Sequence, residues 1–130
     1  LIIDNADNAL KIACEKTGAI IKEFTAAPAY MNDTTGGLHE WLIEFEHQPE
    51  NIGYFGEVLD NALKSLNSDY EAKRYNNFVL RTPVIHIAGA GLFYKWMKMH
   101  NKLGVQNKIP RLSNDRKLIE ELLRMNNEKK

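Results

Sequence analysis

The chain has little of what marks secreted, membrane-spanning or metal-dependent proteins. It has one cysteine, Cys14, in 130 residues, so no internal disulfide can close. No apolar run approaches the roughly 20 residues needed to cross a bilayer. A reducing, soluble and cytoplasmic setting is expected, with no membrane partner. A basic-then-apolar leader is also absent, and the first residue is Leu1 rather than Met, so the expectation is a piece of a longer polypeptide. The four histidines, His39, His47, His86 and His100, lie eight, thirty-nine and fourteen residues apart, without the close pairing that zinc sites use, and no metal site is expected. No glycine-rich loop ends in Lys-Ser or Lys-Thr, and Gly89-Ala90-Gly91 lacks the remaining glycine of a dinucleotide fingerprint. A self-contained nucleotide site is therefore not expected.

Net charge is missing too. Seventeen Lys and Arg balance seventeen Asp and Glu, which argues against bulk attraction to nucleic acid or an acidic membrane. The balance conceals an asymmetry. Leu1 to Glu71 holds thirteen acids and four bases, whereas Ala72 to Asn114 holds eight bases and no acid. Those bases are Lys73, Arg74, Arg81, Lys95, Lys98, Lys102, Lys108 and Arg111. They can pair with acids of the first half across the fold, or they can meet an anion.

What is present suits one packed domain, residues 1–130: 44% hydrophobic and 26% charged residues, enough for a core and too few for a multi-lobed enzyme. Leu1 to Ile3 read as a stub of strand. Ala6, Ala9, Leu10 and Ala13 recur at helical spacing, and Gly18 stops a helix over 5–17. Residues 19–27 and 38–47 read as strands, the second with Trp41, Ile43 and Phe45 on one side, joined through the turn residues Asn32 to Gly37 as a hairpin. Ile52, Phe55, Val58, Leu59, Ala62, Leu63 and Leu66 form one stripe of a helix over 50–66, with Asp60 outside it. Phe78 to Ile87 reads as a strand whose Pro83 implies an edge or a bulge. Leu92, Trp96, Met99 and Leu103 mark a basic amphipathic helix, and Ser113 caps a last helix bearing Leu118, Ile119, Leu122 and Leu123. The order implies an α+β fold, a ferredoxin-like split βαβ antiparallel sheet with helices packed on it and two additional C-terminal helices covering an edge or the other face.

Few residues stand out chemically. Cys14 sits on a small-residue helix face and reads as a buried thiol without a role. Trp41 and Phe45 could stack bases but read as core. Lys108 lies between Gly104 and Pro110-Arg111, where it reads either as a solvated loop lysine or as a cation that a firm loop carries to a phosphate.

Gly18 to Thr25, His39 to Phe45, Leu66-Asn67-Ser68-Asp69-Tyr70-Glu71-Ala72-Lys73-Arg74 and Asn107-Lys108-Ile109-Pro110-Arg111-Leu112 together resemble the carboxy-terminal domain of the GH3 family, over nearly the whole chain. The Asn-Ser-x-Tyr and Lys-x-Pro-Arg stretches are the specific part. The resemblance implies acyl-acid amido synthetases of the adenylate-forming superfamily. A large amino-terminal domain would bind ATP, with Mg2+, and a carboxylic acid, and make an acyl-adenylate. An amine, usually an amino acid, then attacks, and the small domain rotates as a lid between the half-reactions. The resemblance implies Lys108 as the catalytic lysine, although Asn107 stands where the superfamily has Gly. It implies Tyr70 and Arg74 as further cofactor-binding residues, although they and Lys73 could instead hold the loop, and Arg111 as another, which could pair with a carboxylate of the first half as easily as with a phosphate. The 130-residue chain alone is expected to be inactive. The competing expectation is a free-standing ferredoxin-like module for a small regulator or single-stranded RNA. The concentration of bases in the last strand, the basic helix and the following loop favours the ligase and no nucleic-acid partner.

Overall fold

The computed structural model describes residues 3–30, 36–77, 79–101 and 109–128. Helix α1 (Ile3–Thr17) leads into an antiparallel hairpin, β1 (Ile20–Tyr30) and β2 (Gly37–His47). Helices α2 (Ile52–Leu66) and α3 (Ser68–Arg74) and a 3-10 turn follow, then β3 (Val84–Ile87), α4 (Leu92–Met99) and α5 (Lys117–Glu128).

Local chemistry sets the ends of these elements. Gly18, at φ +77°, donates its N–H to the Cys14 carbonyl and closes α1, a conformation that glycine adopts without steric cost. Asn51 caps α2 by accepting from the Tyr54 N–H. Asn67 serves both neighbours: its N–H donates to the Leu63 carbonyl at the end of α2, while its side chain accepts from the Tyr70 N–H at the start of α3. At the hairpin, a Cβ on Gly37 would come within 2.7 Å of the Ala29 carbonyl oxygen, so only glycine allows this approach.

The sheet is buried on both faces. Successive β2 side chains point opposite ways. Trp41 and Ile43 pack with Phe24, Ala9, Leu10, Phe55, Leu59 and Leu63 in a core shared with α1 and α2. Leu42 faces the other way, into a second core with Leu92, Trp96, Ile109, Ile119 and Leu122. The two last helices thus cover the other face. Trp41 is fully buried and Phe45 packs edge-on against Phe55, which removes both from any base-stacking surface.

The α+β class matches the sequence reading, and several details differ. Ile3 belongs to α1 rather than to a strand stub, and Leu1 and Ile2 lie outside the described residues. The strand pair β2 and β3 is parallel, with register Glu40↔Val84 to Ile43↔Ile87, in a sheet of order β1-β2-β3. A split βαβ unit places another strand between these two; here they are direct neighbours joined through helices, and a helical crossover returns the chain in the same direction. Of the strand expected over 78–87, Phe78 lies outside the described residues and β3 starts only at Val84, because Pro83 cannot donate to a ladder; Leu80 makes only an isolated bridge to Gly37. Met99, expected in the buried stripe of α4, is 60% exposed, and Phe93 is buried instead; Leu103 lies outside the described residues.

Candidate functional site

Three constellations draw on the residues singled out by sequence. The first joins α2 to α3. Arg74 donates from Nε to Asp60 Oδ1 at 2.8 Å and from Nη2 to Oδ2 at 2.7 Å, and the Tyr70 hydroxyl donates to Oδ1 at 2.6 Å. Arg74 Nη1 also reaches the Leu80 carbonyl, tying the approach to β3 into the cluster. All three side chains are buried. Burial by itself would raise the Asp60 carboxyl, but the hydrogen bonds from Arg74 and Tyr70 and the Arg74 charge outweigh it and hold the group below its ordinary value. Burial and the adjacent carboxylate push the Tyr70 hydroxyl upward, and the bond to Asp60 raises the Arg74 guanidinium.

The second constellation is a strap along the outer edge of β1. The Thr25 hydroxyl donates to the Pro110 carbonyl at 2.7 Å, the Ala26 N–H donates to the Arg111 carbonyl at 2.8 Å, and the Ser113 N–H donates to the Ala26 carbonyl at 3.1 Å. Ile109 is buried in the second core. The Arg111 guanidinium lies over the Phe24 ring, 5.4 Å from its centroid, and faces Glu23 at 3.5 Å and Asp7 at 3.6 Å. It stands at a groove of about 340 Å³ between α1 and β1, with Lys11 and Lys22 on the same rim. Further on, Arg116 donates to the Pro28 carbonyl at 2.9 Å and to Glu40 at 2.6 Å. Lys108, directly before the strap, lies outside the described residues.

The third is the start of α4. Gly91 takes φ +83° and donates its N–H to Glu44 Oε2 at 2.9 Å. Glu44 is only 3% exposed, and the Phe93 N–H and the Lys22 ammonium lie 3.5 and 3.9 Å from its oxygens. The positive end of a helix attracts anions. Here an internal carboxylate from β2 takes that place.

Of the acid-free stretch, Lys73 pairs with Asp69, Arg74 with Asp60, and Arg111 with Asp7 and Glu23, all acids of the first half. Pairing across the fold therefore accounts for Arg74 and Arg111, whereas Lys73 pairs i,i+4 within α3. Arg81, Lys95 and Lys98 are exposed and enter no ion pair among the described residues.

The GH3 family C-terminal domain model matches residues 4–117. The chain belongs to the GH3 family. Among solved structures, the GH3 domain resembles GH3.15 acyl acid amido synthetase at 18% identity and a TM-score of 0.71, covering 95% of this chain and 24% of that one. The complex of AtGH3.15 acyl acid amido synthetase with 2,4-DB gives 17% identity and a TM-score of 0.70, with 95% and 23% covered. At such identity the likeness is one of fold, and the domain spans about a quarter of those proteins. No curated protein matches the chain.

In this GH3 domain, the two most specific of the four stretches that carried the resemblance lie at joints of the fold. Leu66 to Arg74 is the α2–α3 junction, and Ile109 to Leu112 is the strap. Tyr70 and Arg74 meet on Asp60, whereas Arg111 is separate, on the β1 edge. Asp60, Thr25 and Glu44 were not singled out in the sequence. Asp60 was expected outside the apolar stripe and is buried instead, because Arg74 and Tyr70 supply its partners. A signal did exist: Gly53, Gly56 and Asp60 fall at i, i+3 and i+7, a face whose missing side chains admit another element, and a Cβ on Gly56 would meet Ile85 of β3 at 3.4 Å.

Proposed function

We propose that residues 1–130 form the mobile C-terminal lid of an ATP-dependent acyl-acid amido synthetase acting in the cytoplasm. The whole enzyme activates a carboxylic acid as an acyl-adenylate, with release of pyrophosphate, and conjugates it to an amine or amino acid. ATP, with Mg2+, supplies the adenylyl group and is held chiefly by an N-terminal domain. This chain contributes Lys108, whose ammonium stabilises the charge that develops on the transferring oxygens.

One observation supports the reading: Pro110, Arg111 and Ser113, which follow Lys108 in the sequence, are bonded to the β1 edge. The other charged groups suit a polyanion less well. The start of α4 holds Glu44, Arg74 holds Asp60, and Arg111 faces two acids. Tyr70, Arg74 and Arg111 then serve the nucleotide through the framework they hold.

The test is Lys108→Ala in a full-length synthetase carrying this domain. Acyl-adenylate formation, read by pyrophosphate exchange with a panel of carboxylic acids that includes 2,4-DB, should fall about 10²- to 10³-fold. Amide formation from supplied acyl-adenylate should change far less. Lys108→Arg should recover little, because a planar fork does not replace a compact ammonium. Equal slowing of both half-reactions, or of neither, removes the assignment.

A further inference from the structure

We propose that the cleft between the turn end of the β1–β2 hairpin and α3 binds a free α-amino acid with an apolar side chain, through His39, Asp69 and Lys73. These three side chains all lie within the described residues, and the site does not rest on the lid reading or on Lys108.

Side chains alternate across β2, so His39 shares a face of the sheet with Trp41 and Ile43. Pro28 stands opposite it on β1, and the His39 ring stacks on Tyr70 of α3 with centroids 6.1 Å apart. Beside this stack the packing leaves a cleft of about 240 Å³. Drug-sized sites run from about 300 to 1,000 Å³, so the occupant is small. Pro28, Leu38, Val79 and Leu80 give it apolar walls, and Asp69 and Lys73 are the charged side chains that line it. One acid and one base, 3.1 Å apart and each more than half exposed, leave the cleft without net charge. A phosphate or a plain carboxylate would be repelled by Asp69, and a plain amine by Lys73. An ammonium and a carboxylate on one carbon answer both.

His39 supplies the third contact. Its Nδ1 is buried without a hydrogen-bond partner among the described residues, which leaves Nε2 as the nitrogen that can meet an occupant. Burial, and after it nearby positive charge that includes Lys73, holds the imidazole below its ordinary value, so the ring is neutral at pH 7. A proton on Nε2 makes that nitrogen a donor to the carboxylate that Lys73 attracts. His39 belongs to one of the stretches that resemble the GH3 family, Tyr70 and Lys73 to another, and the cleft is where the two meet.

The test uses the full-length protein carrying this domain, with L-leucine and L-phenylalanine as probes. Either should slow hydrogen exchange in α3 and at the Leu80 and Arg81 amides and leave α5 unaffected. The concentration that gives half of this slowing measures affinity. 3-Phenylpropanoic acid and 2-phenylethylamine, which each lack one of the two charges, should bind at least about tenfold more weakly than L-phenylalanine. Asp69→Asn and Lys73→Met should each weaken L-phenylalanine about tenfold, and because both positions are on the surface neither change puts the fold at risk. His39→Phe keeps a ring against Tyr70 and removes the nitrogens; it should weaken binding about fivefold, and His39→Gln, whose amide nitrogen can stand in for Nε2, should recover most of that loss. The site is overturned if neither amino acid slows exchange locally up to its solubility limit, if an analogue lacking one charge acts as well, or if His39→Phe and Lys73→Met bind like the parent. Slowing confined to segments outside residues 1–130 would place the amino acid elsewhere in the protein and overturn it equally.

Discussion

Arg74 meets both carboxylate oxygens of Asp60 across fourteen residues of chain, and the two side chains are only 6% and 8% exposed. A buried pair of this kind is strong evidence of mutual dependence and weak evidence of net stability, because desolvation offsets most of the attraction. Asp60→Asn should therefore destabilise the domain by about 3 to 5 kcal/mol, since it leaves a buried guanidinium without its counter-charge. Tyr70→Phe, which removes one hydrogen bond to a charged acceptor, should cost about 1.5 to 3 kcal/mol. Denaturant midpoints with unchanged slope measure both. If Asp60→Asn were as stable as the parent, the cluster would not join α2 to α3.

Acid should weaken the fold through these carboxylates. Asp60 and Glu40 are both depressed: burial opposes the charged form in each, but Arg74 and Tyr70 outweigh it for Asp60, and His86 and Arg116 for Glu40. A depressed folded value means the unfolded chain binds protons first, at about 3.9 for Asp and 4.3 for Glu. The stabilisation is complete above those values and is lost as pH falls through the lower folded ones. Melts between pH 6 and pH 2.5 should show this decline, and Asp60→Asn should flatten part of it.

Glu44 closes the start of α4 from the adjoining strand. Glu44→Ala should cost about 1 to 3 kcal/mol, because the Gly91 N–H loses its acceptor. Hydrogen exchange should quicken in α4 ahead of α2. Uniform quickening over both helices would show that Glu44 is not specific to that cap.

Leu59 is fully buried against the α1 face of the sheet. Leu59→Ala should lower stability by about 2 to 5 kcal/mol through lost burial and the cavity left behind. A thermal melt indistinguishable from the parent would contradict the packing of α2.

The purified 130-residue chain should give no pyrophosphate exchange and should bind single-stranded RNA no better than a neutral control protein at low salt. Exchange by the chain alone would overturn its assignment as a lid. Tight RNA binding that weakens steeply with salt would point to phosphate neutralisation and to the competing module.

Periodicity and punctuation determined much of this domain. The spacing of Ala6, Leu10 and Ala13, the stripe from Ile52 to Leu63, the alternation around Trp41 and the stop at Gly18 are all local patterns, and each names its element because helix and strand repeat at different periods. The motif residues were also legible as a resemblance, through Asn67, Tyr70, Arg74 and Arg111. Their partners were not. Asp60 looks like an exposed polar residue until Arg74 is brought against it, Glu44 looks like the polar side of a strand until the second helical layer closes over it, and Thr25 is one of many strand threonines until Pro110 arrives 85 residues later in sequence. The parallel pairing of β2 with β3 belongs with these. Which strands become neighbours, and which buried polar atom meets which, depends on contacts between segments far apart in the chain, and only the tertiary structure brings those together.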